Sequence, residues 1–299
     1  MVNVPLNFDG QQRLLLLDAN ALMHRAYYAL PRLTDKEGEA TNAIYGFLAC
    51  LFKVLREQSP QYVAAVFDSP GKTFRHQAYP QYKATRVKAP DEFYAQFSPT
   101  KEILRFLNIP VLEKVGYEAD DIIGAIAEKI TDPQIKTLIL TGDFDLLQLV
   151  NARVNVLLLK KGVSQTVFYN EEKTREKLEG LSPEKIIDFK GLARDNSDNI
   201  PGVPGVGPKT AFRLLRKFGS LENIYQQLKE GRADVKSSLE KKLWEFQDQA
   251  FLSKQLATLK TDIPLDFSLA KGEQRGYNRK KVQEVLTELG FKSLLSRLP

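Results

Sequence analysis

The stretch RLLLLDAN, residues 13–20, decides the fold of the first half of this chain. It places four consecutive leucines between Arg13 and Asp18. A short, continuous apolar run of this kind is typical of a parallel strand that is buried on both faces of a sheet. The same pattern returns in YVAAVFD (62–68), KTLILTGD (136–143) and VNVLLLKK (154–161), and PVLEKVG (110–116) predicts a shorter strand.

Helical patterns separate these strands. TNAIYGFLACLFKVLREQ (41–58) is amphipathic, with one apolar face made of Ile44, Phe47, Leu48, Leu51, Phe52 and Leu55. GYEADDIIGAIAEKI (116–130) predicts a further helix after a turn at Gly116. Strands that alternate with helices predict a doubly wound, mainly parallel α/β sheet. From about residue 182 the chain is helical in pattern, so we expect a core over residues 1–181 and a helical region over 182–299.

Amino-acid composition constrains the partners and location of the protein only weakly. The 43 basic and 37 acidic residues leave a net charge of +6, which mildly favours a polyanionic partner. No apolar run approaches the roughly 20 residues that span a bilayer, and the first residues lack a signal-peptide pattern. Cys50 is the single cysteine, so no internal disulfide forms. We therefore expect a cytoplasmic protein with no membrane partner.

Acidic residues cluster where the predicted strands end. Asp18, Asp68 and Asp143 all stand at predicted carboxyl ends, which is where open α/β sheets bind ligands. GYEADD (116–121) adds three carboxylates at a helix start, and two later motifs, DFD and DNSD, add more. The full set of predicted metal ligands is Asp18, Asp68, Glu118, Asp120, Asp121, Asp143, Asp145, Asp195 and Asp198.

Such a set would be tolerated in one place only with cations. An all-oxygen set selects Mg²⁺ or Mn²⁺, and with only His24 and His76 in the chain there is no zinc cluster. The spacing does not fit an EF-hand loop. Taken alone, however, GYEADD could equally be the acidic first turn of a helix, where the dipole stabilises each anion by about 0.3–1 kcal/mol.

A basic segment follows the strand that ends at Asp68. KTFRHQAYPQYKATRVKAP (72–90) contains no acid, and its cations are Lys72, Arg75, Lys83, Arg86 and Lys88. Aromatic residues are interleaved with these cations, and prolines at 70, 80 and 90 argue against one rigid helix. Cations neutralise phosphates and aromatic faces stack on bases, so the segment is a candidate phosphate clamp; the alternative is a solvated loop.

A glycine-rich motif lies in the helical region. SDNIPGVPGVGPKTAFRLL (197–215) is neither a Walker A loop nor a G-x-G-x-x-G motif, because position 208 is Pro and position 210 is Thr. It fits a helix, a hairpin centred on 205–207 and a second helix from Pro208. Glycines let backbone N–H groups approach phosphates. The alternative is an ordinary tight turn between two helices.

Together, LLLLDANALMHRAYYAL, VFDSPGKTFRHQAYPQYKATR, GYEADDIIG, TGDFDLLQL and SDNIPGVPGVGPKTA resemble the bacterial 5′→3′ exonuclease/flap endonuclease family. The resemblance covers about residues 12–298. It implies a PIN-like nuclease core with a basic arch or clamp at about 70–98. It also implies a helix–three-turn–helix DNA-binding motif at about 186–218, and two-metal hydrolysis of phosphodiesters in branched DNA.

The resemblance also implies roles for individual residues. A first Mg²⁺ or Mn²⁺ ion would be held by Asp18, Asp68, Glu118 and Asp120, and a second by Asp143, Asp145 and Asp198, with Asp120 a candidate bridge. Asp121 and Asp195 would act directly or through water. Lys83 and Arg86 match basic residues that act on the scissile phosphate, and Arg25 matches a basic position near the active site. The implied DNA contacts are Arg75, Tyr82, Lys83, Arg86, Gly202, Gly205, Gly207, Lys209 and Thr210, with a K⁺ ion at the Gly205–Gly207 hairpin.

The implied partner is nicked or branched double-stranded DNA with a 5′ flap, including RNA primers, bound by a monomer that is part of, or works with, DNA polymerase I. Two residues depart from the family pattern: Phe144 stands where Lys is usual, and Arg194 where Gly is common. Two other hypotheses therefore stay open. One is a catalytically impaired binder of DNA junctions, and the other is a PIN-type ribonuclease.

Overall fold

The computed structural model describes residues 10–163 and 165–299. Residues 1–9 lie outside the described residues. The predicted core begins in them, and so does the N-terminal stretch that was predicted not to be a signal peptide. Six strands form one sheet: β1 Gln12–Asp18, β2 Tyr62–Val66, β3 Val111–Leu112, β4 Ile135–Thr141, β5 Val154–Lys161 and β6 Gln165–Tyr169. Their spatial order is β3-β2-β1-β4-β5-β6, and every pairing is parallel except that of β5 with β6.

Helices cover both faces of the sheet. The helices of the strand-rich half are α1 Ala19–Ala29, α2 Asn42–Gln58, α3 Phe74–Ala78, α4 Asp91–Ala95, α5 Phe97–Phe106, α6 Ala119–Lys129 and α7 Glu171–Lys177. The later ones are α8 Ile186–Leu192, α9 Pro208–Phe218, α10 Leu221–Lys229, α11 Ser237–Glu245, α12 Gln247–Ala257, α13 Leu269–Gly272, α14 Arg279–Glu288 and α15 Lys292–Leu295. Short 3₁₀ turns cover Asp145–Leu149 and Pro183–Lys185.

The predicted fold class is confirmed. The four leucines of β1 are fully buried, and they alternate between the two faces of the sheet. Leu14 and Leu16 pack in one apolar cluster, and Leu15 and Leu17 in the other. Each fully buried leucine contributes about 1.5–3 kcal/mol to folding, so this central strand anchors both layers.

The edge strand β6 was not predicted. It runs antiparallel to β5, after a turn that contains Gly162 at φ +60°. Its sequence, QTVFY, is only five residues long, with Gln165 exposed and the other four residues half-buried, so it lacks the continuous apolar run that identifies the inner strands. The β-branched and aromatic residues in it were the available signal.

The helical region packs directly on the sheet. The cluster that contains Leu14 also holds Leu214 and Leu221 from α9 and α10, while the cluster on the opposite face holds Leu286 and Leu294 from α14 and α15. Both apolar clusters therefore contain residues from before and after residue 182. The division of the chain into two domains at that point stays a prediction. No described helix is both long enough and apolar enough to cross a lipid bilayer.

Gly202 is a packing residue of this region. Its φ is +59°, and a Cβ there would lie 2.6 Å from the Arg194 nitrogen and 2.7 Å from the Ala193 carbonyl carbon. Its N–H donates to Ser253 Oγ at 3.0 Å and its carbonyl accepts from Gln249 Nε2 at 2.6 Å. Gly202 is thus buried with both backbone groups in use, and its predicted contact with DNA stays a prediction.

Replacement of Gly202 by alanine should lower the free energy of unfolding by about 2–5 kcal/mol, since a left-handed φ adds about 1–2 kcal/mol and overpacking about 1–3 kcal/mol. Urea denaturation measures the change. Gly207→Ala is the matched control, because Gly207 has no atom within 4 Å of an added Cβ and a negative φ of −90°. Equal unfolding midpoints for the two variants would contradict this account.

Candidate metal centre

A deep cleft of about 1360 Å³ opens at the carboxyl ends of the parallel strands. The strand order puts β2, β1 and β4 side by side, so Asp68, Asp18 and Asp143 reach the same edge of the sheet. The carboxylates that line the cleft are Asp18, Asp68, Glu118, Asp120, Asp143, Asp145 and Asp195. Seven of the nine predicted metal ligands are thus brought together, and Lys83, Arg86 and Arg25 line the same cleft.

Backbone geometry orients the first carboxylates. Asp18 ends β1 and begins α1, where it accepts from the Ala21 N–H at 3.1 Å and from the Thr141 hydroxyl at 2.5 Å. Asp68 accepts from the Ala119 N–H at 2.7 Å, which ties the end of β2 to the start of α6. The parallel sheet and the helix N-termini therefore aim these side chains into one space.

Burial and mutual repulsion raise the pKa values of several of these groups. The pKa of Asp18 rises to about 7 because the carboxyl is buried and lies near Asp143 and Asp68. Burial also raises the pKa of Asp145 to about 7, against the pull of Lys190. The pKa of Asp120 lies well above its usual value because of burial and the charges of Asp143 and Asp18. A set of oxygen donors that resists ionisation in this way fits hard divalent cations.

A second group of carboxylates lies where the 3₁₀ turn after β4 meets the helical region. Asp145, Asp195 and Asp198 offer oxygens that lie within 4.8 Å of one another. Although burial opposes it, the pKa of Asp195 falls to about 2 because Lys190 and Ser197 stabilise the anion. The pKa of Asp198 is likewise lowered, since Lys83 and Arg86 outweigh the effect of its burial.

The basic segment reaches both carboxylate groups. The Lys83 ammonium donates to Glu118 at 2.8 Å and lies 4.0 Å from Asp198, and Arg86 forms an ion pair with Asp198. Lys83 has a φ of +55°, a left-handed value that is rare outside glycine and that here aims its side chain at the cleft. The segment folds as α3 followed by turns up to the start of α4, rather than as one long helix, in line with its prolines.

Comparison with known sequences identifies the family. A model described as the 5′-3′ exonuclease N-terminal resolvase-like domain matches residues 13–179, and one described as the 5′-3′ exonuclease C-terminal SAM fold matches residues 181–280. The chain belongs to the 5′→3′ exonuclease family. The DNA polymerase I of Bacillus subtilis is 42% identical to this chain over 288 residues, which cover 96% of the chain and 32% of that protein.

The DNA polymerase I of Mycobacterium tuberculosis is 40% identical over 298 residues, which cover 99% of this chain and 32% of that protein. This exonuclease-family chain thus spans about a third of the length of the curated relatives it matches.

Solved structures share its fold. A T5 5′-exonuclease with bound zinc superposes with a TM-score of 0.70 at 20% identity, over 93% of this chain and all (100%) of that one. The catalytic core of Rad2 in complex with a DNA substrate superposes with a TM-score of 0.61 at 17% identity, over 96% and 90%.

Three residues that the resemblance placed in the site have other roles in this structure. Arg75 is 2% exposed and forms a two-pronged ion pair with Asp121, at 2.7 and 2.8 Å. Asp121 is fully buried and also accepts from the backbone N–H groups of Glu118 and Lys260. Arg75 and Asp121 are therefore paired with each other inside the protein, and the predicted DNA contact of Arg75 and the predicted metal-ligand role of Asp121 stay predictions.

Tyr82 is the third. It is 3% exposed, and its hydroxyl donates to Glu118 and Asp198 at 3.0 Å each. This burial leaves no open ring face for the predicted stacking on DNA. Its hydrogen bonds instead join the two carboxylate groups across the cleft, and burial together with both carboxylates raises the pKa of the phenol.

Sequence reasoning missed several supporting residues. Asn20 accepts from the Asp68 N–H at 3.0 Å, and the Thr141 hydroxyl, which donates to Asp18, accepts from the Asp143 N–H at 2.8 Å. Their positions within DAN and TGD, next to strand-end aspartates, were the available signal. Lys190 bonds to Asp145 and Asp195 and was not predicted at all.

The two departures from the family pattern both line the cleft. Phe144 packs partly buried against the core, and Lys177 Nζ lies 5.9 Å from its ring centre. Neither Phe144 nor Arg194 displaces a carboxylate, because Asp143, Asp145 and Asp195 all still reach the cleft.

The predicted hairpin is present, away from this cleft. It joins α8 to α9, with Gly207 as the N-cap of α9 and Gly205 at φ +80°. Gly205, Gly207 and Lys209 are exposed and Thr210 is half-buried. Their contacts with DNA and with K⁺ stay predictions.

Removal of the Arg75 charge should destabilise the fold strongly. Arg75→Met should lower the free energy of unfolding by about 3–5 kcal/mol, because it leaves the buried Asp121 carboxylate without a compensating cation. Arg75→Met combined with Asp121→Asn should recover a large part of that loss in urea denaturation. Arg216→Met, which removes a half-exposed ion pair with Glu179, is the control and should change little. A loss of equal size in this control would refute the assigned role.

Metal binding should depend on pH. The folded-state pKa of about 7 at Asp18 and Asp145 exceeds the usual 3.8, so the stability that protonation supplies is complete below pH 3.8 and is lost as pH rises through 7. A divalent cation such as Mg²⁺ would replace the lost protons. Its stabilising shift in melting temperature, relative to EDTA, should therefore be larger at pH 8 than at pH 6. Equal shifts at both pH values would contradict this reading.

Proposed function

We propose that this chain is a metal-dependent 5′→3′ exonuclease and structure-specific 5′-flap endonuclease that hydrolyses phosphodiester bonds of DNA. One observation carries the proposal: seven carboxylates line one cleft, together with the Lys83 and Arg86 side chains of the basic segment. Carboxylates alone would repel a phosphodiester, and the two cations supply the attraction. Flap and primer removal in replication and repair is the matching role.

Two Mg²⁺ or Mn²⁺ ions supply the chemistry when bound, because such a pair makes water a better nucleophile and stabilises the leaving oxygen. Asp18, Asp68, Glu118 and Asp120 would hold the first ion. Asp143, Asp145 and Asp198 would hold the second, with Asp195 beside them.

The chain's own residues orient the substrate. Lys83 and Arg86 would neutralise the scissile phosphate, where negative charge grows during hydrolysis. Both are held at the cleft by ion pairs with Glu118 and Asp198, and so they are positioned before DNA arrives. Arg25 adds a third cation at the wall formed by α1 and the end of β4, where its guanidinium lies 3.5 Å from the Gly142 carbonyl.

The duplex would lie along the helical region. The exposed hairpin of Gly205 and Gly207 offers backbone N–H groups, and Lys209 in the first turn of α9 adds charge. A K⁺ ion at this hairpin would strengthen the grip. We propose a monomer as the acting form and nicked or flapped DNA, including RNA primers, as the substrate, in the setting of DNA polymerase I.

Asp68→Asn and Asp145→Asn each test the metal assignment, since each removes one charge without a change in shape. Both should lower cleavage of a labelled 5′-flap DNA by about 10³-fold in Mg²⁺, because metal catalysis supplies several kcal/mol. Asp266→Asn is the control, because the Asp266 side chain is 95% exposed and lies outside the cleft.

Undiminished cleavage by the first two variants would defeat the proposal. Flap binding in Ca²⁺ without turnover in Mg²⁺ or Mn²⁺ would favour the junction-binding hypothesis. Faster cleavage of RNA flaps than of DNA flaps would favour a PIN-type ribonuclease.

A further inference from the structure

Lys190 lies in the second carboxylate group without an assigned role. It belongs to α8, and only 9% of its surface is exposed. Its ammonium bonds to Asp195 Oδ2 at 2.5 Å and forms an ion pair with Asp145 Oδ2. A buried ammonium is costly unless carboxylates compensate it, so these two ion pairs hold Lys190 in place.

The same two carboxylates belong to the group that could hold a divalent ion. Asp145, Asp195 and Asp198 present oxygens within 4.8 Å of one another. Lys190 bonds to the first two, and Arg86 pairs with the third. Each carboxylate of this group therefore already has a cation of the chain as its partner.

A divalent ion and the Lys190 ammonium cannot both neutralise these oxygens without mutual repulsion. Two positive charges about 4 Å apart repel by about 4 kcal/mol at the dielectric typical of a protein surface. Binding of the ion must therefore weaken or break the Lys190 ion pairs. The cleft, which Lys190 also lines, leaves room for its side chain to withdraw.

We propose that Lys190 is a built-in counter-ion that competes with the divalent cation for Asp145 and Asp195, and so sets the affinity of this metal site. The inference rests on the proposed function, because it requires that the group binds metal. Lys190 is a positioning residue here: it keeps Asp145 and Asp195 together in the metal-free protein and gives them up when the ion enters.

A purely structural ion pair would behave differently. If Lys190 only stabilised the fold, its loss would lower the melting temperature equally with and without metal, and would leave metal affinity unchanged or weaker. Competition predicts the opposite for metal: loss of the ammonium removes a positive charge from the site, so the divalent ion binds more tightly.

The test compares the wild-type chain with Lys190→Met and with Lys190→Gln, which keeps a polar group of similar length. Lys185→Met is the matched control, since Lys185 pairs with Asp188 at 3.5 Å and lies outside the cleft. Mn²⁺ binding is followed by electron paramagnetic resonance without DNA, and melting temperatures are measured in EDTA and in Mg²⁺.

The weaker Mn²⁺ site of wild type should tighten by about tenfold or more in both Lys190 variants, through loss of the repulsion. Their melting temperatures should fall in EDTA and recover in Mg²⁺, so that the Mg²⁺-induced shift exceeds that of wild type. The Lys185→Met variant should bind Mn²⁺ as wild type does. Unchanged or weaker Mn²⁺ binding in the Lys190 variants overturns the inference.

A measurement on the wild-type chain keeps the test decisive even if the variants fail to fold. Reductive methylation, read by mass spectrometry, should modify Lys190 faster in saturating Mg²⁺ than in EDTA, relative to Lys185. Unchanged reactivity of Lys190 overturns the inference.

The two proposals can fail separately. Two Mn²⁺ ions bound and flap cleavage by wild type, without tighter binding in the Lys190 variants, would overturn this inference alone. No Mn²⁺ bound by wild type would overturn both.

Discussion

Repulsion among buried carboxylates is the constraint on which the rest of this molecule depends. A parallel sheet brings the ends of neighbouring strands to one edge, and here each of three neighbouring strands ends in or leads to an aspartate. Such a cluster is not stable in isolation, because burial raises the pKa values of Asp18, Asp120 and Asp145. Basic side chains from other segments of the chain must form ion pairs with it, and these ion pairs hold the surrounding segments in place.

Four cations serve this purpose: Arg75, Lys83, Arg86 and Lys190. Two of them connect parts of the fold that are far apart in sequence. Arg75 pairs with Asp121 and also donates to the carbonyls of Leu256 and Thr258, so it joins the base of the basic segment to α6 and to the end of α12. Lys190 joins the helical region to the 3₁₀ turn after β4. Lys83 and Arg86, in contrast, stay at the cleft surface, where they compensate Glu118 and Asp198.

The positions of many carboxylates in the site could be predicted, because they follow from where the parallel strands end. Parallel strands end at the same edge, so Asp18, Asp68 and Asp143 could be placed together from three apolar runs. The ion pair between Asp121 and Arg75 could not be predicted, for the opposite reason. Helical spacing sets Asp121 on the same face as Glu118, but the side chain that reaches it comes from a separate segment, and nothing in local sequence reports that encounter.

The amino-acid sequence by itself determined the strand-and-helix alternation, the parallel sheet, the hairpin between α8 and α9 and the acidic edge, because each follows from local periodicity, turn residues and strand ends. Tertiary structure alone decided how the cations were distributed. Arg75 is buried in an ion pair, Lys83 and Arg86 line the cleft, and Lys190 forms ion pairs within the second carboxylate group. All four are basic residues, and neither their charge nor their local sequence tells which carboxylate each will pair with. Which of them is buried depends on which carboxylate lies within reach after the helical region packs on the sheet, and that distance is a property of the folded chain alone.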